Sequence, residues 1–190
     1  LNCNGKYNFR RIIILCGYRN KIFFEKFNKK FQNLTKIICI KENKLLGTGG
    51  ALSNLKKINV KDFVLINGDT IFNIDLNLLI SSLDKNKIGN IALTKNKKQK
   101  SKKLLNLALK NKSLFFKKYS SIMNGGVYFF KKSIFRYIKN KECSLEDDIL
   151  PKLIKLKKIQ GKYFKDFFID IGSKKFLKIK NSKLKKEFHK

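Results

Sequence analysis

An α/β fold is predicted for this chain, and three observations carry the prediction. Short apolar runs of strand length, at residues 11–17, 36–40, 63–67 and 88–94, are interleaved with segments whose apolar residues recur at helical spacing. That alternation is the pattern of βαβ units and a largely parallel sheet. A glycine-rich turn, Gly47-Thr48-Gly49-Gly50, follows the second run and opens a helix-like stretch. The third run stops on Asn67-Gly68-Asp69, putting an aspartate at the carboxyl end of a buried strand, where open α/β sheets bind ligands.

The elements follow in order. Residues 11–17 (RIIILCG) form a short, branched apolar run ending in glycine, a buried strand. Residues 20–31 carry Ile22, Phe23, Phe27 and Phe31 near helical spacing, one apolar face. Residues 36–40 are a second strand, and the glycine turn then leads a helix to about residue 57 before the strand at 63–67. Asp75 is a candidate N-cap for a helix over 76–83, its carboxylate accepting free backbone N–H groups. After the strand at 88–94, residues 95–103 read as a basic loop, and 104–109 with 113–118 as a hairpin around Lys110-Asn111-Lys112. Asn124-Gly125-Gly126 reads as a turn before a strand at 127–130. Helices are predicted at 133–139 and 145–156, where Pro151 suits a first turn or a break. A last strand covers 167–171, and a tail helix runs from Ser173.

Composition bounds the function. At 190 residues the chain, 1–190, is read as a single domain with a full core, and 43% hydrophobic content excludes disorder. The net charge of +32 would point to nucleic acid. Lys, Asn, Ile and Phe are nevertheless inflated together, and all four have AT-rich codons, so a compositional origin outweighs selection for nucleic acid. Cys3, Cys16, Cys39 and Cys143 form no C-x-x-C pair, so neither a zinc site nor a disulfide framework is indicated. The single histidine, His189, sits in a lysine-rich tail and reads as solvated. No run approaches the ~18 apolar residues of a membrane span and no signal-peptide pattern occurs, so a cytoplasmic protein with no membrane partner is expected.

The glycine turn and the strand-end aspartate read together as a nucleotide site. Glycines at a helix start let an anionic ligand approach backbone N–H groups. A carboxylate beside a phosphate usually marks Mg²⁺, which takes one or two carboxylates plus substrate phosphates. Asp170, which ends another apolar strand beside Gly172, is the second candidate carboxylate. Each aspartate alone is also ordinary turn chemistry. Likewise Glu146, in Ser144-Leu145-Glu146-Asp147-Asp148, could be only an acid at a helix start. Gly47-x-Gly49 with an acid about 20 residues on mimics a dinucleotide fingerprint, but Leu52 stands where that motif needs a small residue.

In order, LGTGGAL at 46–52, VLINGD at 64–69, NGGVY at 124–128, SLEDDILP at 144–151 and FIDIG at 168–172 resemble the sugar-1-phosphate nucleotidyltransferases. The ordered set spans nearly the whole chain. It is most similar to the branch that transfers GMP to D-glycero-D-manno-heptose 1-phosphate. The resemblance implies a Rossmann-like mixed sheet of nucleotide-diphospho-sugar transferase type. It implies Leu46, Gly47, Thr48, Gly49, Gly50 and Asn67 on the nucleotide, and Asp69 and Asp170 as catalytic Mg²⁺ ligands. Lys118 would bind the sugar phosphate, and Asn124, Gly126 and Glu146 the sugar. The implied partners are a nucleoside triphosphate (GTP by branch) and a sugar 1-phosphate, for lipopolysaccharide or capsule precursors; a homo-oligomer is left open.

Two departures bear on this. The family opens with a first strand and a G-G-x-G-T-R-L loop that grips the triphosphate, and neither is in the sequence. With Leu1 in place of Met, an N-terminal truncation is expected, leaving an apolar sheet edge near 11–17 and 64–67. The chain alone is then expected to be weakly active or inactive, the alternatives being an inactive fragment or a basic nucleic-acid-binding protein. The second departure is Phe116-Lys117-Lys118, where the family commonly has Phe-x-Glu-Lys.

Overall fold

The computed structural model describes residues 9–17, 20–30, 36–95, 106–117 and 120–172. The sequence-predicted tail helix, His189, Lys118 and most of the basic loop lie outside the described residues.

The first unit is a βαβ. Strand β1 (Arg11–Cys16) and strand β2 (Lys36–Lys41) pair in parallel, Ile13 opposite Ile38, with helix α1 (Asn20–Lys30) between them in sequence. The run of isoleucines favours the extended backbone on which branched side chains pack. On α1, Phe23 and Phe27 stack with ring centroids 6.1 Å apart, as a one-turn spacing allows.

Next comes one helical turn, α2 (Gly47–Gly50), which tightens into a 3-10 helix over Ala51–Ile58 and ends at Asn59 in the left-handed region. A single long helix was predicted here; the tighter winding buries Ala51, Leu52 and Leu55 on one side. Strands β3 (Phe63–Ile66) and β4 (Thr70–Phe72) are separated only by Asn67-Gly68-Asp69. Asp75 caps α3 (Leu76–Ser81), accepting from the N–H groups of Asn77 and Leu78 at 2.9 and 3.4 Å. Strands β5 (Gly89–Lys95), β6 (Asn106–Lys110), β7 (Ser113–Phe116) and β8 (Ile122–Phe130) follow. The β6–β7 turn places Asn111 and Lys112 at φ 48° and 64°, the two-residue geometry whose twist matches a hairpin. A 3-10 turn covers Lys132–Arg136, a wide π turn covers Leu145–Ile149, and helix α4 (Leu150–Lys155) carries Pro151 in its first turn. Strands β9 (Ile159–Tyr163) and β10 (Phe168–Asp170) complete the described part.

The main sheet runs β3-β8-β5-β9-β7-β6, with β6 also pairing to the start of β8. The expectation of a largely parallel sheet is corrected: β1–β2 and β5–β9 are parallel, and every other described pairing is antiparallel. Four-residue apolar runs carry no information on direction, and β4 and β9, both missed in the sequence, shorten the connections that a parallel sheet would need. Among the described residues β1 pairs with β2 alone and β3 with β8 alone, so each presents an edge.

Strand β8 is buried on both faces. Tyr128 and Phe130 enter a core with Leu52, Leu55, Ile134, Leu150 and Leu153. Val127 and Phe129 enter a second core with Leu76, Leu79 and Phe164. Period-two alternation thus divides one apolar strand between two layers, and this fixes its register tightly.

Candidate active site

The site forms around the turn after β3. Asn67 donates its backbone N–H to the Gly126 carbonyl at 2.9 Å, tying that turn to the middle of β8. There β8 bulges: Ile91 of β5 faces Tyr128 but Leu93 faces Asn124. Asn124-Gly125-Gly126 therefore lies inside the strand, not in a turn ahead of it as the sequence suggested. Gly126 has φ +69°, and a Cβ there would collide with the Thr70 hydroxyl, so the bulge needs glycine. Asn124 locks it, its Oδ1 accepting from the Gly126 N–H at 3.0 Å while its Nδ2 donates to the Tyr128 hydroxyl at 2.7 Å.

Strands β4 and β10 then bring the two aspartates together. Thr70 lies opposite Asp170 in their antiparallel register, and the Ile171 N–H donates to the Asp69 carbonyl at 2.8 Å. A Cβ built on Gly172 would stand 2.9 Å from Asp69 Oδ2 and 3.3 Å from Asp170 Oδ1. The two carboxylates therefore share one small, exposed space that a side chain on Gly172 would fill. No group of three or more His, Cys, Asp or Glu side chains able to hold a metal occurs among the described residues. Two convergent carboxylates without further protein ligands suit Mg²⁺, which keeps waters and substrate phosphates for its other positions.

Glu146 is the acceptor at the centre of the site. It sits on the π turn started by Ser144, whose hydroxyl accepts from the Asp147 N–H at 2.9 Å while Asp148 accepts from the Ser144 N–H at 2.7 Å. Glu146 Oε2 accepts from the Thr48 hydroxyl at 2.7 Å, and Oε1 from Tyr128 and Asn67 at 3.2 and 3.3 Å. Burial first, and then the charge of Glu146, push the Tyr128 phenol far above its usual range, so it remains a donor. Tyr128 was missed as a site residue, because a tyrosine in an apolar strand reads as core; Asn124 four residues earlier is the one signal.

The glycine turn does not present an open cradle. The N–H groups of Gly49 and Gly50 both donate to the Cys143 carbonyl, at 3.0 and 3.2 Å, and the Cys143 N–H donates to the Leu46 carbonyl at 2.9 Å. The sequence reading of these N–H groups as free for a ligand is corrected. The glycines let one backbone lie against another: a Cβ on Gly49 would meet Ile149 at 2.7 Å and Leu145 N at 2.9 Å, and one on Gly50 would strike the Lys141 carbonyl. Gly50→Ala is expected to destabilise the fold by about 1–3 kcal/mol through this overpacking, read as a lowered melting temperature.

Asp69, Asp170, Asn67, Gly126, Asn124, Glu146, Thr48 and the Leu46–Gly50 backbone are thus joined by contacts through the turn after β3, β8 and the 143–146 segment. No described helix is long and apolar enough to cross a membrane.

No protein-family model matches the chain. It is 31% identical over 172 residues to D-glycero-alpha-D-manno-heptose 1-phosphate guanylyltransferase from Campylobacter jejuni, spanning 88% of this chain and 76% of that protein. It is similar to the crystal structure of HddC from Yersinia pseudotuberculosis complexed with GMP-PN, with 29% identity, TM-score 0.71, and coverage of 88% of this chain and 75% of that one. The inositol-1-phosphate CTP transferase from T. maritima shares the fold at TM-score 0.74 with 16% identity, over 97% of this chain and 78% of that one. These likenesses bear out the nucleotide-diphospho-sugar transferase fold expected from the motifs. On sequence, fold and motif order together, the chain belongs to the sugar-1-phosphate nucleotidyltransferases.

Proposed function

We propose that this chain transfers GMP from GTP to D-glycero-D-manno-heptose 1-phosphate, releasing pyrophosphate, in the cytoplasmic synthesis of a lipopolysaccharide or capsule precursor. The observation that carries the reading is the meeting of Asp69 and Asp170 over Gly172, with Asp69 two residues along the chain from Asn67, whose amide donates to Glu146 at 3.3 Å. The names of the relatives support guanine as the base and a heptose as the sugar.

In the reaction a non-bridging oxygen of the sugar phosphate attacks the α-phosphorus of GTP. The bond from that phosphorus to the β-bridging oxygen breaks, and pyrophosphate leaves with the electron pair. The attacking phosphate is already ionised, so no general base is needed, and the chemistry consists mainly of positioning and charge stabilisation. Asp69 and Asp170 would hold Mg²⁺, which neutralises charge on the reacting phosphates when bound. The backbone from Leu46 to Gly50, with Asn67, borders the nucleotide. Glu146 and the bulged backbone at Gly126 receive sugar hydroxyls, Asn124 holding that bulge, and Lys118 pairs with the sugar phosphate.

The test reads binding before turnover. Calorimetry is expected to show saturable GTP binding that requires Mg²⁺ and exceeds binding of ATP. Product formation is then followed as pyrophosphate released from GTP and the heptose 1-phosphate. Nucleotide binding indifferent to both base and Mg²⁺ would count against the proposal.

A further inference from the structure

Thr48 lies in the segment whose resemblance assigns it to the nucleotide, yet its hydroxyl is already committed elsewhere. Oγ1 accepts the Leu145 N–H at 2.9 Å and is 2.7 Å from Glu146 Oε2. A hydroxyl has one proton. With Leu145 donating into one lone pair, that proton points at the carboxylate and is not available to a base.

The opposite side of Glu146 is equally constrained. Oε1 takes the Tyr128 hydroxyl and the Asn67 amide, at 3.2 and 3.3 Å. Tyr128 is fully buried, and its own oxygen accepts from Asn124, so it cannot turn away without losing that partner. A carboxylate offers about four acceptor directions, and the described residues use three of them.

We infer that Thr48 is a positioning residue of the sugar subsite: with Tyr128 it fixes the Glu146 carboxylate so that one acceptor direction, on Oε2, remains for a single sugar hydroxyl. This rests on the proposed function and deepens it. A carboxylate held in this way does not chelate two neighbouring hydroxyls across both its oxygens. Selectivity at this point comes from one hydroxyl meeting Oε2, and Thr48 acts on the sugar although it sits in the glycine turn.

The experiment measures dissociation constants for GTP with Mg²⁺ and for the heptose 1-phosphate separately, on the whole chain, by calorimetry or ligand-observed NMR. Thr48→Val is expected to weaken sugar-phosphate binding roughly tenfold, the loss of a hydrogen bond to a charged group, with the GTP constant unchanged. Thr48→Ser, which keeps the hydroxyl, is expected to restore binding to within about twofold of the original. Tyr128→Phe is expected to act in the same direction as Thr48→Val, and it keeps the test decisive if the valine variant fails to fold. Weakened GTP binding with an unchanged sugar constant, or equal losses in both, overturns the positioning role. If the unaltered chain binds neither ligand, the proposed function falls first, and this inference with it.

Discussion

Replacing Asp69 by Asn is expected to lower GMP transfer about a thousandfold while leaving the fold intact. The Asp69 side chain is exposed, and its contribution to local structure runs through its backbone carbonyl, which accepts the Ile171 N–H at 2.8 Å. Asparagine preserves that bond and the side-chain shape, so thermal stability should stay within about 0.5 kcal/mol, as for surface substitutions in general. The lost property is one negative charge beside Asp170. Stabilisation of reacting phosphoryl oxygens by a bound metal is worth several kcal/mol, and each ~1.4 kcal/mol is a factor of ten in rate. Affinity for Mg²⁺ should fall in parallel. A variant that turns over within about tenfold of the original chain, at saturating Mg²⁺, would show that the two carboxylates over Gly172 do not hold the catalytic metal.

Much of this arrangement was legible in the sequence, and the unread parts have identifiable causes. The βαβ unit, the Asp75 cap and the hairpin at Asn111-Lys112 were readable because each rests on local rules of period, capping and turn chemistry. Sheet direction was not readable. Whether β3 meets β8 head-on or side by side is decided by packing between segments some sixty residues apart, to which a four-residue apolar run is indifferent. The convergence of Asp69 and Asp170 was expected from strand ends, but the device that achieves it was unseen. It is the pairing of β10, which was expected as a strand, with β4, whose three residues are too few to register as one. The glycine turn was located correctly and its physical role misread. Glycine is required there by the close approach of the 141–145 backbone, which consumes two of the N–H groups a ligand would use. The same contact gives Thr48 a partner 98 positions along the chain, beyond any reading of local spacing.

Glu146→Ala should be the most disruptive change to the centre of the site, affecting both binding and stability. Three donors converge on this carboxylate, and two belong to side chains that water reaches, Thr48 and Asn67. The third does not. Tyr128 is fully buried, and burial together with the Glu146 charge keeps its phenol protonated, so its hydroxyl proton needs an acceptor. Asn124 already donates to the Tyr128 oxygen and cannot serve. Truncation at 146 therefore leaves one buried donor unsatisfied, at a cost of roughly 1–3 kcal/mol. In a chain of this size each kcal/mol lowers the melting temperature by about 2–4 °C. Glu146→Gln, which keeps one acceptor oxygen, should melt closer to the original chain while still binding the sugar phosphate less well. The source of the penalty can be isolated by a double-mutant cycle. Tyr128→Phe in the Glu146→Ala background removes the orphaned hydroxyl, so the pair should cost less than the two single changes added together. Strictly additive costs would mean that the Tyr128–Glu146 bond contributes nothing to stability. The loss on truncation would then have to come from the bonds that Thr48 and Asn67 make to the carboxylate.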